Sequence, residues 1–509
     1  MTEHVQLKAG GYQKIRDIDP RLVSYNVEMT EVTGGTFWKP YTAGQIAGTE
    51  EFPKMKDFSD LGNLMAMFPP ADLSNSRLRA LAKDLGPAWV RVSGSWATKT
   101  YYDFDGHTNG VVPEGFESVL TREQWEGVLD FVKAIGAKLL VSVANCPGVH
   151  DGIGPWQPDQ ARLLFDFSRD YGVPVDAAEF MNEPNILTGT GYDLQDGYTL
   201  KEFARDQDLF FSFMRENYPE IELVGPCVVG DAMATILGED EGGILGADKA
   251  DLMAAMGKAF FLTNDLLDIV QERPGVFSYH YYNGISERGA AMGGHWDASQ
   301  ALSEQYLSVA GQSALLYAPM RDSYTPGAPM WVTESGDAGC GGNTWASTYL
   351  DVPRTVNELG LFATITDGVI FHNTLCSSDY GYLDRETHEP RPNYWAVLLW
   401  NRIMGVEVFD SDEEIREGAH VYVHSRRDGK PGYAAAIINN STTDATVVDL
   451  PKDAEVYALS SDSLRSSTIM LNGAPLALGE DDSLPELAGR HVEAGAFEVA
   501  PASVAYVVM

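Results

Sequence analysis

Eight short runs rich in β-branched and aromatic residues alternate with amphipathic stretches through most of the chain, and this alternation constrains the fold more than any other feature. A strand-like run followed by a helical stretch forms a βα unit, and successive units build a parallel sheet. The runs cover residues 23–32, 88–94, 138–146, 177–185, 222–229, 276–283, 329–336 and 368–376. Eight such units predict an α/β fold, a closed (β/α)8 TIM barrel.

The stretches between the runs have the periodicity of helices. Gln124–Ile135 and Leu200–Tyr218 each place apolar side chains three or four positions apart, as a helix packed on a sheet requires. The last barrel helix is predicted at Tyr394–Met404. The barrel is therefore expected to occupy residues 21–405.

After Gly405 the pattern changes to short strands separated by turn residues, with no helix-length periodicity between them. Residues 406–509 are therefore predicted to form a C-terminal all-β sandwich packed on the barrel. The segment HVQLKAG, residues 4–10, reads as extended chain. We expect the N-terminal residues 1–20 to add a strand to that sandwich.

Acidic residues outnumber basic ones, with 73 Asp and Glu against 36 Lys and Arg and a net charge of −37. Such a charge argues against nucleic acid or an anionic membrane surface as the partner. An anionic small ligand would meet the same repulsion. Its pocket must therefore supply local N–H or hydroxyl donors.

The motifs indicate neither a metal nor a cofactor, because the sequence has no HExxH, P-loop, nucleotide fingerprint or clustered Cys and His set. Cys146, Cys227, Cys340 and Cys376 form no CxxC pair, and we expect reduced thiols. The opening MTEHVQLKAG lacks the basic and apolar regions of an export signal, so we expect a cytoplasmic protein. An exported protein trimmed of its signal would look the same. No segment is apolar over a membrane-spanning length, and we expect no membrane partner.

Two glutamates stand at the ends of the fourth and seventh runs, Glu183 in EFMNEPN (179–185) and Glu334 in MWVTESG (330–336). The carboxyl ends of barrel strands open into one cleft, so both side chains are expected to face it. Taken alone, Glu183 also fits a strand-end acid that caps the next turn. The pair favours glycoside cleavage, in which one carboxyl protonates the departing oxygen while the other attacks the anomeric carbon or activates water.

Several stretches resemble one known family. EFMNEPN and WVTESG are similar to the acid/base and nucleophile strands of the retaining glycosidases of clan A. The heparanase-like family, glycoside hydrolase family 79, is resembled by VRVSGSWATKTYYDF (90–104), SYHYYNG (278–284) and YGYLDRETHEPRPNYWAVLLWNRIMG (380–405). The resemblance covers the barrel and the order of barrel and sandwich, and it implies hydrolysis with retention of configuration.

The resemblance also implies roles for single residues. Glu183 corresponds to the general acid/base and Glu334 to the nucleophile that forms a glycosyl-enzyme. Asn182 corresponds to an asparagine that hydrogen-bonds the sugar 2-hydroxyl, and Tyr281 to a tyrosine beside the nucleophile. His280 is as readily a structural histidine as a substrate contact.

Most members of that family cleave β-glucuronides, and they hold the sugar carboxylate with glycine amides and a tyrosine hydroxyl. Gly341 and Gly342, in the loop SGDAGCGGN (335–343), and Tyr380 lie at the matching positions. A flexible loop with its usual glycines is the structural alternative. The loop departs from the family by about one residue in spacing and contains Asp337, whose charge would repel a uronate if it faced the pocket.

Two further charges are candidates. Glu28 matches an acid that binds hydroxyls of the terminal sugar, although a rim salt bridge is equally plausible. Lys99 could add positive charge near the mouth, although most exposed lysines have no such role.

The sequence predicts a retaining β-glucuronidase with a carbohydrate substrate and no cofactor. A clan A β-xylosidase or β-glucosidase is the nearest alternative, and a non-catalytic carbohydrate-binding protein is an alternative of another class. The aglycone subsites are expected in loops such as residues 230–251 and 286–299. The choice between exo and endo action stays open at this point.

Overall fold

A computed structural model of the protein describes residues 3–51, 58–185, 197–231, 261–292, 294–366 and 368–509. Its centre is a closed barrel of eight parallel strands, which confirms the predicted fold. In chain order, strands one to eight are Val23–Glu28, Trp89–Ser93, Lys138–Ser142, Ala177–Glu179, Glu222–Val228, Val276–Tyr282, Met330–Gly336 and Ile370–His372. Each predicted run contains one of these strands.

A helix follows every barrel strand. Within the described parts of the chain, these helices are Ser76–Asp84, Arg122–Ile135, Asp159–Tyr171, Leu200–Asn217, Thr263–Leu267, Glu304–Tyr324, Val352–Ile365 and Pro392–Ile403. The second helix shows how local sequence sets the bounds: the side chains of Thr121 and Gln124 form a capping box at its start. Gly136 ends it at a left-handed φ of 70°.

Shorter elements occupy the loops at the carboxyl ends of the strands. Two short helices, Met29–Thr33 and Ala43–Ile46, lie in the first loop. The 3₁₀ turns are Phe58–Leu64, Ala97–Lys99, Pro147–Val149, Glu287–Met292, Ala298–Gln300 and Tyr349–Asp351. Strand pairs form between Gly35–Trp38 and Met65–Phe68 and between Thr100–Asp103 and Ser118–Thr121. The described parts of the loops after strands one, two, three, six and seven therefore contain regular elements at the mouth of the barrel.

Two further sheets form the β region. The nine-stranded sheet contains Lys14–Asp17, Met404–Phe409, His420–Arg426, Tyr433–Asn439, Ser503–Val508, Ala454–Ser460, Met470–Leu471, Ala474–Pro475 and Arg490–Val492. The three-stranded sheet contains Glu3–Gln6, Thr446–Leu450 and Gly495–Val499. The N-terminal segment thus contributes one strand to each sheet, and the large sheet continues from Met404, slightly before the predicted boundary.

Both faces of the large sheet carry apolar side chains. Successive residues of a strand point to opposite faces, so each strand contributes to both. On one face Val421, Ile437 and Val507 pack in a core with Val448 of the small sheet. On the other face residues such as Tyr506 belong to the core of the barrel, and the Tyr506 hydroxyl donates to the Ala396 C=O at 2.9 Å. The sandwich therefore packs directly on barrel helices.

Three further predictions concern the chain as a whole. All four cysteines are free thiols. Among the described residues, no helix combines the length and the apolar character needed to cross a membrane. Most of the predicted aglycone loop, residues 232–251, lies outside the described residues.

Candidate active site

The segment that carries Glu183 leaves strand four after Glu179 and is held against strand five. The Glu183 N–H donates to the Cys227 C=O at 3.1 Å, and the Val229 N–H donates to Asn185 Oδ1 at 3.0 Å. Glu183 itself has a left-handed φ of 46°, which turns the chain sharply at the acid. Asn185 is therefore a structural anchor.

Glu334 lies within strand seven and is 5% exposed. Arg91 of strand two donates from Nη1 to Oε1 of Glu334 at 3.0 Å. The Tyr282 hydroxyl of strand six donates to Oε2 at 2.8 Å. Two donors on separate strands therefore fix both oxygens of this carboxylate, an arrangement suited to an anion.

His280 of strand six lies between the two glutamates. Its Nδ1 is 3.0 Å from Oε1 of Glu183 and 3.5 Å from Oε2 of Glu334. Its Nε2 is 3.4 Å from Nη2 of Arg91. Because a guanidinium can only donate, Nε2 accepts and Nδ1 carries the ring hydrogen. That hydrogen lies within reach of both carboxylates.

The two carboxylates are close together. One oxygen of each and a ring nitrogen of His280 lie within 4.8 Å of one another. These three side chains could hold a metal ion, but the tautomer set by Arg91 places a hydrogen on the nitrogen nearest the carboxylates. The arrangement suits hydrogen bonding between the acids better than metal coordination.

Asp103, Asp105 and His107 form a second group of possible metal ligands among the described residues. They lie in a surface loop where Asp105 and His107 are exposed. Asp103 already accepts the backbone N–H of His107 at 3.1 Å. These contacts show that the three side chains stabilise a turn, and we assign the group no function.

Arg91 is fully buried and links the site to the floor of the barrel. Its Nη2 donates to Glu179 and to Asn182 Oδ1, each at 2.6 Å. Burial opposes ionisation of Glu179, but the charge and hydrogen bonds of Arg91 hold its pKa at about 2. Glu179 therefore orients Arg91, which in turn orients Glu334 and Asn182.

The surroundings of Glu183 differ from those of Glu334. Burial raises the pKa of Glu183, the hydrogen bond from His280 offsets part of that rise, and the charge of Glu334 adds to it. The raised pKa favours a proton on Glu183. Two carboxyl groups in contact with one histidine thus have environments suited to different tasks.

The prediction for Tyr281 is wrong, and Tyr282 occupies the predicted place beside Glu334. The Tyr281 hydroxyl donates to Asn283, and its ring packs edge-on against Phe362 at 5.4 Å. Side chains along a strand alternate between faces, so Tyr282 faces the barrel interior while Tyr281 faces the surrounding helices. The two-residue period starting from His280 would have identified Tyr282 from the sequence.

Gly341 and Gly342 lie next to Tyr380, and their role in holding a sugar carboxylate stays a prediction. Both glycines have left-handed φ values, 88° and 86°. A Cβ on Gly341 would lie 2.6 Å from Cβ of Trp38, and one on Gly342 would lie 3.1 Å from the Tyr380 backbone nitrogen. Only glycine allows the loop to pass this close to its neighbours.

Asn373, which follows strand eight, connects this glycine loop to Glu334. Its amide donates to the Tyr282 hydroxyl at 2.9 Å and to the Tyr380 hydroxyl at 3.2 Å. Because the Tyr380 oxygen accepts this bond, the Tyr380 O–H hydrogen is directed elsewhere and can serve a ligand. Tyr282 and Tyr380 thus extend one polar network from the carboxylate pair to the glycines.

Arg288, in the loop after strand six, ties several loops together behind these glycines. Its Nε donates to the Tyr41 hydroxyl at 2.8 Å, and its Nη2 donates to Asp379 at 3.1 Å. The Tyr41 hydroxyl in turn donates to the Gly342 C=O at 3.2 Å. The loops after strands one, six, seven and eight are therefore held in one arrangement.

Asp337 lies beside this loop but is buried. Its Oδ2 accepts the Asn343 N–H at 2.9 Å, and its Oδ1 has no hydrogen-bond partner among the described residues. Burial and the nearby charge of Asp351 raise the pKa of Asp337 to about 8. At neutral pH the side chain is therefore largely uncharged, which removes the repulsion of a uronate that the sequence suggested.

The two further charged candidates, Glu28 and Lys99, lie in different surroundings. Glu28 is buried at the end of strand one, and its Oε2 has no hydrogen-bond partner among the described residues. Burial, with a contribution from the charge of Glu334, raises the pKa of Glu28 well above its usual range. Lys99 pairs with Glu117 at 2.9 Å, so it supplies no unpaired charge at the mouth.

Sequence reasoning missed the polar residues that hold the site together. Arg91 and Glu179 are charged residues inside otherwise apolar strands, a pattern that indicates a buried ion pair. Asn373 and Arg288 lie in loops whose paths depend on the whole barrel. No local signal in the sequence identifies those two.

No family model matches the chain. Heparanase from Mus musculus is 24% identical over 493 residues, which is 84% of this chain and 84% of that protein. Baicalin-beta-D-glucuronidase from Scutellaria baicalensis is 22% identical over 457 residues, 82% of this chain and 79% of that protein.

A solved structure of a 4-O-alpha-L-rhamnosyl-beta-D-glucuronidase from Fusarium oxysporum 12S superposes with a TM-score of 0.62. The match covers 99% of this chain and 100% of the other at 10% identity, and so it supports the fold alone.

The barrel, the carboxylate pair and the names of the relatives together define a glycoside hydrolase. Within that class, the relatives confirm the resemblance to the heparanase-like glycoside hydrolases of family 79.

Proposed function

We propose that the protein is a retaining β-glucuronidase that works by double displacement. Glu334 attacks the anomeric carbon while Glu183 protonates the leaving oxygen, and a glycosyl-enzyme ester forms on Glu334. Glu183 then removes a proton from water, and the water oxygen attacks the anomeric carbon. The bond from that carbon to Glu334 breaks, which releases the sugar with its original configuration and restores the Glu334 carboxylate. Each step uses the same two carboxyl groups.

The single observation that carries this proposal is the separation of the carboxylates. Their nearest oxygens lie within 4.8 Å, and both glutamates contact the same histidine. Retaining enzymes place these groups about 5–5.5 Å apart, whereas inverting enzymes need about 6.5–9.5 Å to seat a water. The short separation supports direct attack by Glu334.

The environments of the two acids support their separate roles. Glu183 has a raised pKa, as a group that delivers a proton near neutral pH requires. Glu334 is held by Arg91 and Tyr282 at the angle set by strand seven. When Glu334 becomes esterified its charge is lost, which lowers the pKa of Glu183 and suits it to act as a base.

The proposed sugar contacts follow from the same geometry. Arg91 binds the Oδ1 atom of Asn182 and thereby fixes the orientation of its amide, which we assign to the sugar 2-hydroxyl. Glu28, buried with one unpartnered oxygen, is assigned to other sugar hydroxyls. These contacts position the ring across the carboxylate pair.

The preference for a uronate rests on the donors around the glycine loop. Neither the Gly341 nor the Gly342 N–H donates to another described residue, and the Tyr380 O–H is available beside them. Together they can hold a carboxylate in a protein whose overall charge repels anions. The names of the two relatives, heparanase and baicalin-beta-D-glucuronidase, support the same substrate class.

Hydrolysis of nitrophenyl β-glucuronide, β-xyloside and β-glucoside tests the proposal. We expect kcat/KM for the glucuronide to exceed the other two by at least about 100-fold, because unpaired donors in the pocket penalise neutral sugars. A preference for the xyloside or glucoside would support the neutral β-glycosidase alternative. Binding of a glucuronide without hydrolysis would support a non-catalytic carbohydrate-binding protein.

A further inference from the structure

The proposed function identifies the side of the site on which the aglycone lies. The leaving group departs next to the carboxyl that protonates it, so the aglycone lies on the Glu183 side. Strand four, which precedes Glu183, pairs with strands three and five. The donors proposed for the uronate come from the loops after strands seven and eight, across the barrel.

The loops after strands two and three form one continuous surface beside the Glu183 side. The Gly148 N–H donates to the Gly115 C=O at 3.0 Å. The Asn145 N–H donates to the Thr98 C=O at 2.9 Å. We call residues 104–117 and 147–154 of these loops the rim.

The rim exposes apolar side chains. Val111, Val112 and Ile153 are 70%, 41% and 50% exposed. Exposed apolar groups beside a binding site provide contact area for an uncharged ligand. The rim is therefore suited to an aglycone with apolar or aromatic surface.

The rim is predominantly acidic. A hydrogen bond to Asp105 raises the pKa of His107, and His107 pairs with that carboxylate. Asp105, Glu114, Glu117 and Asp151 are exposed, and neither part of the rim contains a lysine or an arginine. These carboxylates add to a net charge of −37 on the whole chain. A ligand with several negative charges would meet a repulsive potential over this surface.

Three described cations neighbour the rim. Arg122 is exposed, donates from Nε to the Phe104 C=O at 2.6 Å and lies over the Phe167 ring at 5.0 Å. The other two pair with carboxylates. Lys99 pairs with Glu117 of the rim at 2.9 Å. Arg205, from the helix after strand four, pairs with Asp206 at 2.8 Å and donates to the Ile153 and Gly154 carbonyls. Polyanion-binding surfaces instead present clusters of lysine and arginine side chains that no carboxylate neutralises.

We propose that the substrates are β-glucuronides with an uncharged aglycone, and that chains with repeating uronate or sulfate groups are poor substrates. The inference rests on the proposed function and narrows its substrate class. One uronate is held by the local donors of the glycine loop. Each further anionic group that extends over the rim would meet its exposed carboxylates, which outnumber the one neighbouring cation without a carboxylate partner, Arg122.

Two substrates with the same linkage test this inference. One is the disaccharide of glucuronate linked β-1,3 to N-acetylglucosamine, and the other is the tetrasaccharide that repeats this unit and so carries a second carboxylate. We expect kcat/KM at low ionic strength to be at least about tenfold lower for the tetrasaccharide. The difference should shrink at about 0.5 M salt, where the Debye length falls to a few ångströms.

Charge reversal shows whether the rim causes the difference. In the double variant Glu114→Lys/Asp151→Lys, the difference in kcat/KM between the disaccharide and the tetrasaccharide should become several-fold smaller at low salt. The matched control Glu216→Lys/Glu220→Lys changes the same charge at exposed positions near the opposite end of the barrel, and it should leave the ratio of the two substrates nearly unchanged.

Tetrasaccharide cleavage as fast as disaccharide cleavage at low salt would overturn the inference while leaving the β-glucuronidase proposal intact. Equal ratios in the rim variant and the wild-type chain would overturn it as well. If the wild-type chain does not hydrolyse nitrophenyl β-glucuronide at all, the proposed function itself is overturned. The first two outcomes leave cleavage of nitrophenyl β-glucuronide intact, and this separates them from the third.

Discussion

The two glutamates of the site lie close to each other but are held in different ways. Glu334 lies inside strand seven, and two donors from strands two and six bind its oxygens. Glu183 lies beyond the end of strand four at a left-handed turn, and its described side-chain donor is His280. The first acid is fixed by the barrel, whereas the second depends on a loop.

This difference matches the chemistry assigned to each acid. A nucleophile must stay ionised and keep its angle to the anomeric carbon, which rigid donors on strands provide. An acid/base must exchange a proton twice in each cycle, so a raised pKa and fewer donors suit it better. The two carboxyl groups therefore have different surroundings, and each set of surroundings suits the task assigned to that group.

The largest expected effect comes from removal of the nucleophile. Glu334→Ala should lower kcat on nitrophenyl β-glucuronide by at least about 10⁴-fold, because the variant lacks the carboxylate on which the glycosyl-enzyme ester forms. Azide added to this variant should restore partial activity and give the α-glucuronyl azide. Thermal unfolding close to that of the wild-type chain is the control. Wild-type-like hydrolysis would contradict the role of Glu334.

Replacement of the acid/base should distinguish good from poor leaving groups. Glu183→Ala should slow hydrolysis of a poor, alkyl leaving group by about 10²–10⁴-fold and an activated nitrophenyl group much less, because protonation matters most for the poor one. In the wild-type chain, activity on the poor leaving group should fall as pH rises through the raised pKa of Glu183. Glu183→Gln should not show that decline. Equal losses on both leaving groups would argue against an acid role.

Two adjacent tyrosines provide a matched test of the donors to Glu334. Tyr282→Phe removes the hydroxyl bound to Glu334 and should lower kcat by about 10–100-fold, as expected for one lost hydrogen bond to a charged group. Tyr281→Phe removes a hydroxyl that faces the helices and should change kcat by less than about threefold. A larger loss in the Tyr281 variant would contradict the assigned strand faces.

The smallest expected effect concerns Asp337, which lies behind the nucleophile strand, and it is an effect on stability. The folded pKa of about 8 exceeds the unfolded value, so the contribution of Asp337 to stability is complete at low pH and is lost as pH rises through 8. Asp337→Asn should therefore raise the melting temperature by about a few degrees at pH 9 and by less toward pH 4. A difference that does not change with pH would exclude a buried, titrating carboxyl.

The fold was predictable because it depends on repetition. Eight apolar runs and their helices recur along the chain, and an error of a few residues at one boundary does not change the barrel. The runs also placed Glu183 and Glu334 at the carboxyl ends of their strands, where barrel geometry brings such side chains together. The carboxylate pair could therefore be proposed before any coordinates.

The residues around the carboxylate pair are harder to predict, because their roles depend on where each side chain points and not only on its position in the sequence. Resemblance selected Tyr281, but alternation along strand six turns that hydroxyl toward the helices and directs Tyr282 inward. The charge of Asp337 likewise depends on burial and on Asp351, which is distant in sequence. Such properties follow from tertiary packing, which a local pattern does not contain.

The central claim is that two carboxyl groups act on one sugar ring across a separation too short for an intervening water. Proton NMR of the first glucuronic acid released from nitrophenyl β-glucuronide, recorded before mutarotation, tests it most directly. Double displacement through Glu334 predicts that the β-anomer appears first. Initial release of the α-anomer would show inversion and would contradict the account.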